Sequence, residues 1–185
     1  MGVDALIVRA VFLDRDGVLN AAVVRNGRPY PPETVGEVAV LPGVREAIER
    51  LRDAGFVLIV VTNQPDVARG TKSPSEIEAI HTLLGEKLGL THFRTCFHDD
   101  QDACLCRKPA PGLLVSAAAD LAVDLSRSYM VGDRWRDVEA GQSAGCTAIF
   151  VDSGYRERSP AEPFVRVTSL AEAADWILER EKRSL

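Results

Sequence analysis

The chain has 185 residues, 46% of them hydrophobic, and a formal net charge of −5. That is enough apolar content for one domain with a self-sufficient core, and dispersed basic residues exclude the electrostatic footprint of a general nucleic-acid binder. No apolar run reaches membrane-spanning length, and the start MGVDALIVRAVF has neither a basic leader segment nor a small-residue cleavage site, so a cytoplasmic protein without membrane attachment is expected.

The first apolar run, LIVRAVFL (6–13), has strand length and ends on Asp14 and Asp16. Segment 21–42, AAVVRNGRPYPPETVGEVAVLP, is rich in Pro and Gly. It follows the two acids directly and is too short for a cap domain, so it is expected as an ordered loop covering a site. VREAIERLRDAG (44–55) repeats apolar residues every three or four positions and stops at Gly, as a helix does. FVLIVV (56–61) is apolar on both faces, the mark of a central parallel strand. SPSEIEAIHTLLGEKLG (73–89) reads as a helix, FRTCF (93–97) as a strand, PGLLVSAAADLA (111–122) as a helix and SYMV (128–131) as a strand. WRDVEAGQSAG (135–145), TAIFV (147–151) and an amphipathic segment at about 169–183 continue the series as helix, strand and helix. Such alternation predicts an α/β protein, a doubly wound, Rossmann-like single domain over 1–185 whose mainly parallel central sheet has helices on both faces.

In that architecture ligands meet the carboxyl ends of the strands, so the residues after each run carry the information. After the first come Asp14 and Asp16; after the second, Thr62, Asn63 and Gln64; Arg107 and Lys108 precede the PAPG helix start; and GDRWRD supplies Asp133 and Asp137. Each has a plain structural alternative, since paired acids at a strand end cap helices and basic dipeptides make solvated corners. Their joint occurrence at strand ends argues for chemistry: carboxylates for a divalent cation, hydroxyl and amide donors, and cations for an anion, the parts of phosphoryl transfer.

A second cluster lies in CFHDDQDACLC, where Cys96, His98, Cys104 and Cys106 offer four ligands suited to closed, tetrahedral, structural zinc. Bound zinc would order a loop poor in core-forming residues and set its exit just before Arg107 and Lys108. His81, His92 and Cys146 read as satisfied or packed residues, Trp176 as core, and Trp135 as either a site wall or a helix anchor.

The motifs DRDGVLN, VVTNQ, RKP and VGDRWRD, over about residues 9–155, resemble those of the haloacid dehalogenase (HAD) superfamily of phosphohydrolases. The resemblance implies Asp14 as the nucleophile of an aspartyl-phosphate mechanism and Asp16 as general acid and then base. It implies Thr62 and Lys108 on the phosphoryl oxygens, and catalytic Mg²⁺ on Asp14, Asp133 and the Asp16 carbonyl, with Asp137 in support. The zinc loop and the missing large cap domain narrow it to the histidinol-phosphatase-like subgroup, and most closely to the heptose 1,7-bisphosphate phosphatases. Histidinol phosphate or another small phosphometabolite is the alternative substrate. The resemblance to the heptose enzymes implies a phosphorylated sugar as substrate, with Arg107 and Arg134 on its distal part, Asn63 and Gln64 at the mouth, and Arg25 reaching from the covering loop; a monomer is expected. Arg28 and Arg69 are further candidates for a second phosphate. Pro65 and Asp66 depart from the Ser-Gly common in the heptose enzymes.

Overall fold

Ala10, Val11, Phe12 and Leu13 are all fully buried, which places them in a strand covered on both faces. The computed structural model describes residues 8–183, so residues 6 and 7 of the expected first strand lie outside them. In chain order, β1 (Ala10–Leu13) leads to β2 (Val23–Arg25), β3 (Arg28–Tyr30), α1 (Val44–Asp53), β4 (Val57–Asn63), α2 (Pro74–Leu88) and β5 (His92–Cys96). Then follow α3 (Gly112–Leu121), β6 (Tyr129–Gly132), α4 (Trp135–Ala144), β7 (Thr147–Val151), β8 (Val165–Val167) and α5 (Leu170–Arg183).

Six strands form a parallel sheet in the order β5-β4-β1-β6-β7-β8. The chain lays β4 and β5 on one side of β1 and then crosses to β6 on the other, which makes the carboxyl end of β1 the switch point where a crevice opens. Alternate side chains of β1 serve opposite faces. Val11 and Leu13 join a core with Leu58, Val60, Val131 and Ile149, closed by Ile48 and Leu51 of α1, Ile80 and Leu84 of α2 and Ile177 of α5. Ala10 and Phe12 join Ile59, Val61 and Met130 in a second core under Leu114 of α3 and Ala140 of α4. Helices therefore cover both faces, as the alternating pattern predicts. Among the described residues no helix is long and apolar enough to cross a membrane.

Two elements differ from the sequence reading. Part of the 21–42 segment is an antiparallel hairpin, β2 paired with β3, around a two-residue Asn26-Gly27 turn with φ of 53° and 76°. Asn-Gly is the strongest short-range signal for that turn, because both positions need positive φ. The short edge strand β8 also went unpredicted, since three residues carry too little periodicity.

Helix α4 lies against the sheet through Gly141, where an added Cβ would stand 2.6 Å from the Cβ of Met130. Alanine normally stabilises a helix interior by about 1 kcal/mol relative to glycine. Here overpacking reverses the sign: Gly141→Ala is expected to lose about 1–3 kcal/mol. Urea unfolding checks this, and a gain in stability would mean that the helix can move away from the sheet without cost.

Candidate active site

At the end of β1 the Asp14 N–H donates to the Val131 carbonyl of β6 at 2.9 Å, and the chain then curls tightly around the Arg15 carbonyl. That carbonyl accepts from Leu19 at 2.9 Å and from Asn20 at 3.2 Å. Gly17 has φ +93°, and a Cβ there would fall 1.8 Å from an Asp133 carboxylate oxygen. Only glycine lets this turn form and lets Asp133 approach it.

Lys108 joins the strand ends. Its ammonium donates to Asp14 Oδ1 at 2.6 Å and to the Val61 carbonyl at 2.7 Å, and it contacts Asp137 Oδ1 at 2.6 Å. Burial alone would discharge it, but Asp137 and Asp14 outweigh that cost and raise its pKa above the ordinary lysine value. The Asn63 carboxamide fixes the Lys108 backbone from both sides, donating to its carbonyl at 3.0 Å and accepting from its N–H at 3.1 Å. The carboxylates are less well compensated. Burial raises Asp14 to about 6 despite Lys108. Asp133, pushed up by burial and by Asp14 and Asp137, lies well above the ordinary carboxylate value. Neither Asp133 oxygen makes a hydrogen bond of good geometry among the described residues; the Tyr155 hydroxyl lies close enough to offset part of the rise.

Ligand oxygens of Asp14, Asp133 and Asp137 lie within 4.8 Å of one another. Three hard oxygen donors, one of them buried without a well-formed hydrogen bond, fit a divalent cation such as Mg²⁺, which would hold these acids ionised.

Asp16 is held differently. Burial pulls its pKa up, but Arg15 and the donors Asn20 and Gln64 bring it below the ordinary value. The Arg15 Nη2 donates to Asp16 Oδ2 at 2.8 Å, Asn20 to Oδ1 at 2.9 Å and Gln64 to Oδ2 at 2.9 Å. Arg15 is itself fully buried, and its Nη1 stands 3.3 Å from Nε2 of His81, which lies stacked on Phe93. Because arginine only donates, Nε2 must be the acceptor and His81 a neutral Nδ1–H tautomer. Burial and Arg15 accordingly lower the His81 pKa.

The cysteine loop follows β5. Cys96, Cys104 and Cys106 sulfurs stand 3.3–3.7 Å apart, and His98 Nδ1 lies 3.2 Å from Cys106 and 3.5 Å from Cys96. Zinc bonds of roughly 2.0–2.3 Å in a tetrahedron span edges of roughly 3.5–3.8 Å, so these four atoms fit that ion closely. The loop's exit is tied to the cluster, with the Arg107 N–H on Cys104 Sγ at 3.3 Å and its Nη1 on the His98 carbonyl at 3.2 Å.

These elements wall a cleft of about 640 Å³ whose lining includes Asp14, Asp16, Thr62, Asn63, Arg107, Lys108, Arg134 and Asp137. Two residues expected to meet the substrate, Gln64 at the mouth and Arg25 from the covering loop, are elsewhere. Gln64 is buried behind the site, spanning Asp16 and Thr62, because alternate residues of an extended chain share one side. Arg25 is exposed, ion-paired with Glu33, and does not line the cleft, whereas Arg28 of the same hairpin does. His81 is the satisfied, packed residue expected of it, but its contact with Arg15 went unrecognised, since nothing local links two residues 66 positions apart.

A parallel sheet with carboxylates gathered at its switch point is the architecture of HAD hydrolases, and the HAD-hydrolase-like family model matches residues 105–174. The D-glycero-D-manno-heptose-1,7-bisphosphate 7-phosphatase of Thermosynechococcus vestitus is 34% identical over 91% of this chain and 94% of its own length. The D-glycero-beta-D-manno-heptose-1,7-bisphosphate 7-phosphatase of Escherichia coli K12 is 35% identical over 92% of this chain and 88% of its own. The crystal structure of the D,D-heptose 1,7-bisphosphate phosphatase of B. bronchiseptica, complexed with magnesium and phosphate, matches at TM-score 0.82 and 31% identity, over 94% of this chain and 99% of that one. The chain belongs to the heptose 1,7-bisphosphate 7-phosphatase family of HAD hydrolases.

Two outcomes follow from the geometry. Cys104→Ala should reduce bound zinc and thermal stability together, because metal binding and loop folding are one process; full stability without zinc, by metal analysis and calorimetry, would refute a structural metal. His81→Leu should cost about 1–3 kcal/mol by stranding a buried Arg15 donor, and His81→Gln, which keeps an acceptor, should recover part of the loss in urea unfolding.

Proposed function

We propose that this chain is a magnesium-dependent phosphomonoesterase that removes the 7-phosphate of D-glycero-D-manno-heptose 1,7-bisphosphate through an aspartyl-phosphate on Asp14. The observation that carries the reading is the buried Lys108 ammonium bridging Asp14 and Asp137 beside an Asp133 without a well-formed hydrogen bond, at the switch point of the sheet. Family membership supports the substrate.

In the first half-reaction Asp14 attacks phosphorus, a P–O(Asp14) bond forms, and the bond to the sugar oxygen breaks. Asp16 gives its proton to that departing oxygen. The incoming phosphate anion favours this protonated form by like-charge repulsion, which opposes the hold of Arg15. In the second half-reaction Asp16, again a carboxylate, takes a proton from water; the water oxygen attacks phosphorus, and the P–O(Asp14) bond breaks to free phosphate. Thr62 and Lys108 hold the phosphoryl oxygens. All three Lys108 donors are engaged before substrate arrives, so the ammonium must exchange one carboxylate contact for a phosphoryl oxygen as Asp14 becomes esterified. Asp14, Asp133 and the Asp16 carbonyl would hold Mg²⁺, supported by Asp137; the ion supplies positive charge against the nucleophile and the phosphoryl group.

Arg107 and Arg134 contact the distal part of the substrate in this reading, and the 21–42 segment covers it. Zinc on residues 96–106 is structural. Four cysteines without a disulfide, three of them zinc ligands in this reading, suit a reducing cytoplasm, and one chain carries every group the chemistry uses, so a monomer suffices.

Asp14→Asn removes the nucleophile at nearly constant volume. It is expected to abolish phosphate release from heptose 1,7-bisphosphate with Mg²⁺ while circular dichroism stays native; wild-type turnover by this variant would overturn the mechanism.

A further inference from the structure

The cleft above Asp14 holds two arginines that no group among the described residues neutralises. Five others in its wall are committed: Arg107 and Arg136 share Asp100, Arg69 pairs with Asp99, Arg134 with Glu157 and Arg158 with Glu139. Arg28 on β3 and Arg156 in the loop after β7 also line the cleft, and among the described residues neither guanidinium has an ion-pair or hydrogen-bond partner.

The two come from segments that touch. The Arg156 N–H donates to the Gly27 carbonyl at 2.8 Å, and a Cβ on Gly27 would fall 2.7 Å from Arg156 Cγ. The Arg156 stem therefore lies on the hairpin turn, next to Arg28 in the chain. Arg28 also faces Arg25 directly across the hairpin, a like-charge register that costs stability. Glu33 relieves Arg25, and nothing described relieves Arg28. In a chain of net charge −5, two adjacent uncompensated cations in one cleft point to an anion.

We infer that Arg28 and Arg156 form a phosphate subsite for the second, non-reacting phosphate of a bisphosphorylated sugar, an inference that rests on the bisphosphate reading above. Depth separates the two phosphates. The reacting one belongs over the buried Asp14 and Lys108, whereas Arg28 and Arg156 are exposed, at the rim, where the far end of a bound sugar would emerge. A cleft of about 640 Å³ has room for both ends. Guanidinium groups suit the task because their paired N–H donors match two phosphate oxygens at once.

The test compares Arg28→Gln, Arg156→Gln and the double variant with wild type on two substrate pairs: D-glycero-D-manno-heptose 1,7-bisphosphate against the 7-phosphate, and fructose 1,6-bisphosphate against the 6-phosphate. The readout is the ratio of kcat/KM, bisphosphate over monophosphate, so an effect on the chemistry common to both cancels. Each substitution should lower the ratio about fivefold to tenfold, the worth of a partly solvated charge-assisted contact. An unchanged ratio in both pairs overturns the subsite. A ratio that falls in the fructose pair, with neither heptose substrate turned over by wild type, would sustain the subsite while removing the heptose assignment.

Discussion

Everything at this site turns on one buried cation. Lys108 lies at the carboxyl edge of the sheet with its three donors spent on Asp14, Asp137 and the Val61 carbonyl. Removing it would leave Asp14, Asp133 and Asp137 facing one another with no protein cation between them, where burial already lifts Asp14 to about 6. A lone ammonium cannot neutralise three carboxylates. The remaining negative charge makes the same pocket receptive to a divalent cation, and with that cation in place it can receive a phosphate. The position of Lys108 is therefore a constraint on the whole fold, and its supports are spread widely: the Asn63 amide at the end of β4, the helix start at α3, and the cysteine loop that delivers the chain to residue 107.

That dependence explains why a closed metal cluster should sit beside, and not within, the reacting centre. Segment 97–105 offers little to a core; Leu105, its one large aliphatic residue, is 84% exposed. Left to itself, such a loop would pay heavily in entropy to hold one path. Four ligands converging from Cys96 to Cys106 fix both of its ends, and the Arg107 backbone is bonded to one of those ligands. Order passes from the loop to Arg107, and through the next residue to the ammonium that holds Asp14.

What sequence could reveal follows from the range of each interaction. Asp14, Thr62, Lys108 and Asp133 were legible because each follows a strand or precedes a helix, and strand ends are announced by local apolar runs. The cysteine–histidine cluster was legible because its four side chains fall within eleven residues. The Arg15–His81 contact was not, because His81 lies in the middle of an amphipathic helix, where its pattern is that of any core-facing residue. Gln64 was misplaced although strand alternation, carried two residues past Thr62, puts both side chains on one side. Arg25 and Arg28 could not be told apart without the hairpin register and the knowledge that Glu33 returns to Arg25. Charge compensation across a loop is a tertiary fact.

The covering element bears on the outcome of the reaction. Among the described residues, the 21–42 segment contributes a hairpin of two three-residue strands and one 3-10 turn, Val35–Glu37, with the hairpin held to the 152–158 loop by the Arg156–Gly27 bond. An aspartyl-phosphate partitions between water and a second alcohol according to which is held in reach, and transfer to an alcohol needs a lid that excludes water. A hairpin of this size narrows the mouth without sealing it. In the proposed mechanism water enters through that mouth, and Gln64, Asn20 and Arg15 hold Asp16 aligned as a carboxylate, the form that this mechanism needs to activate water. The arrangement that leaves the site open thus also prepares its base, and both favour hydrolysis over phosphoryl transfer.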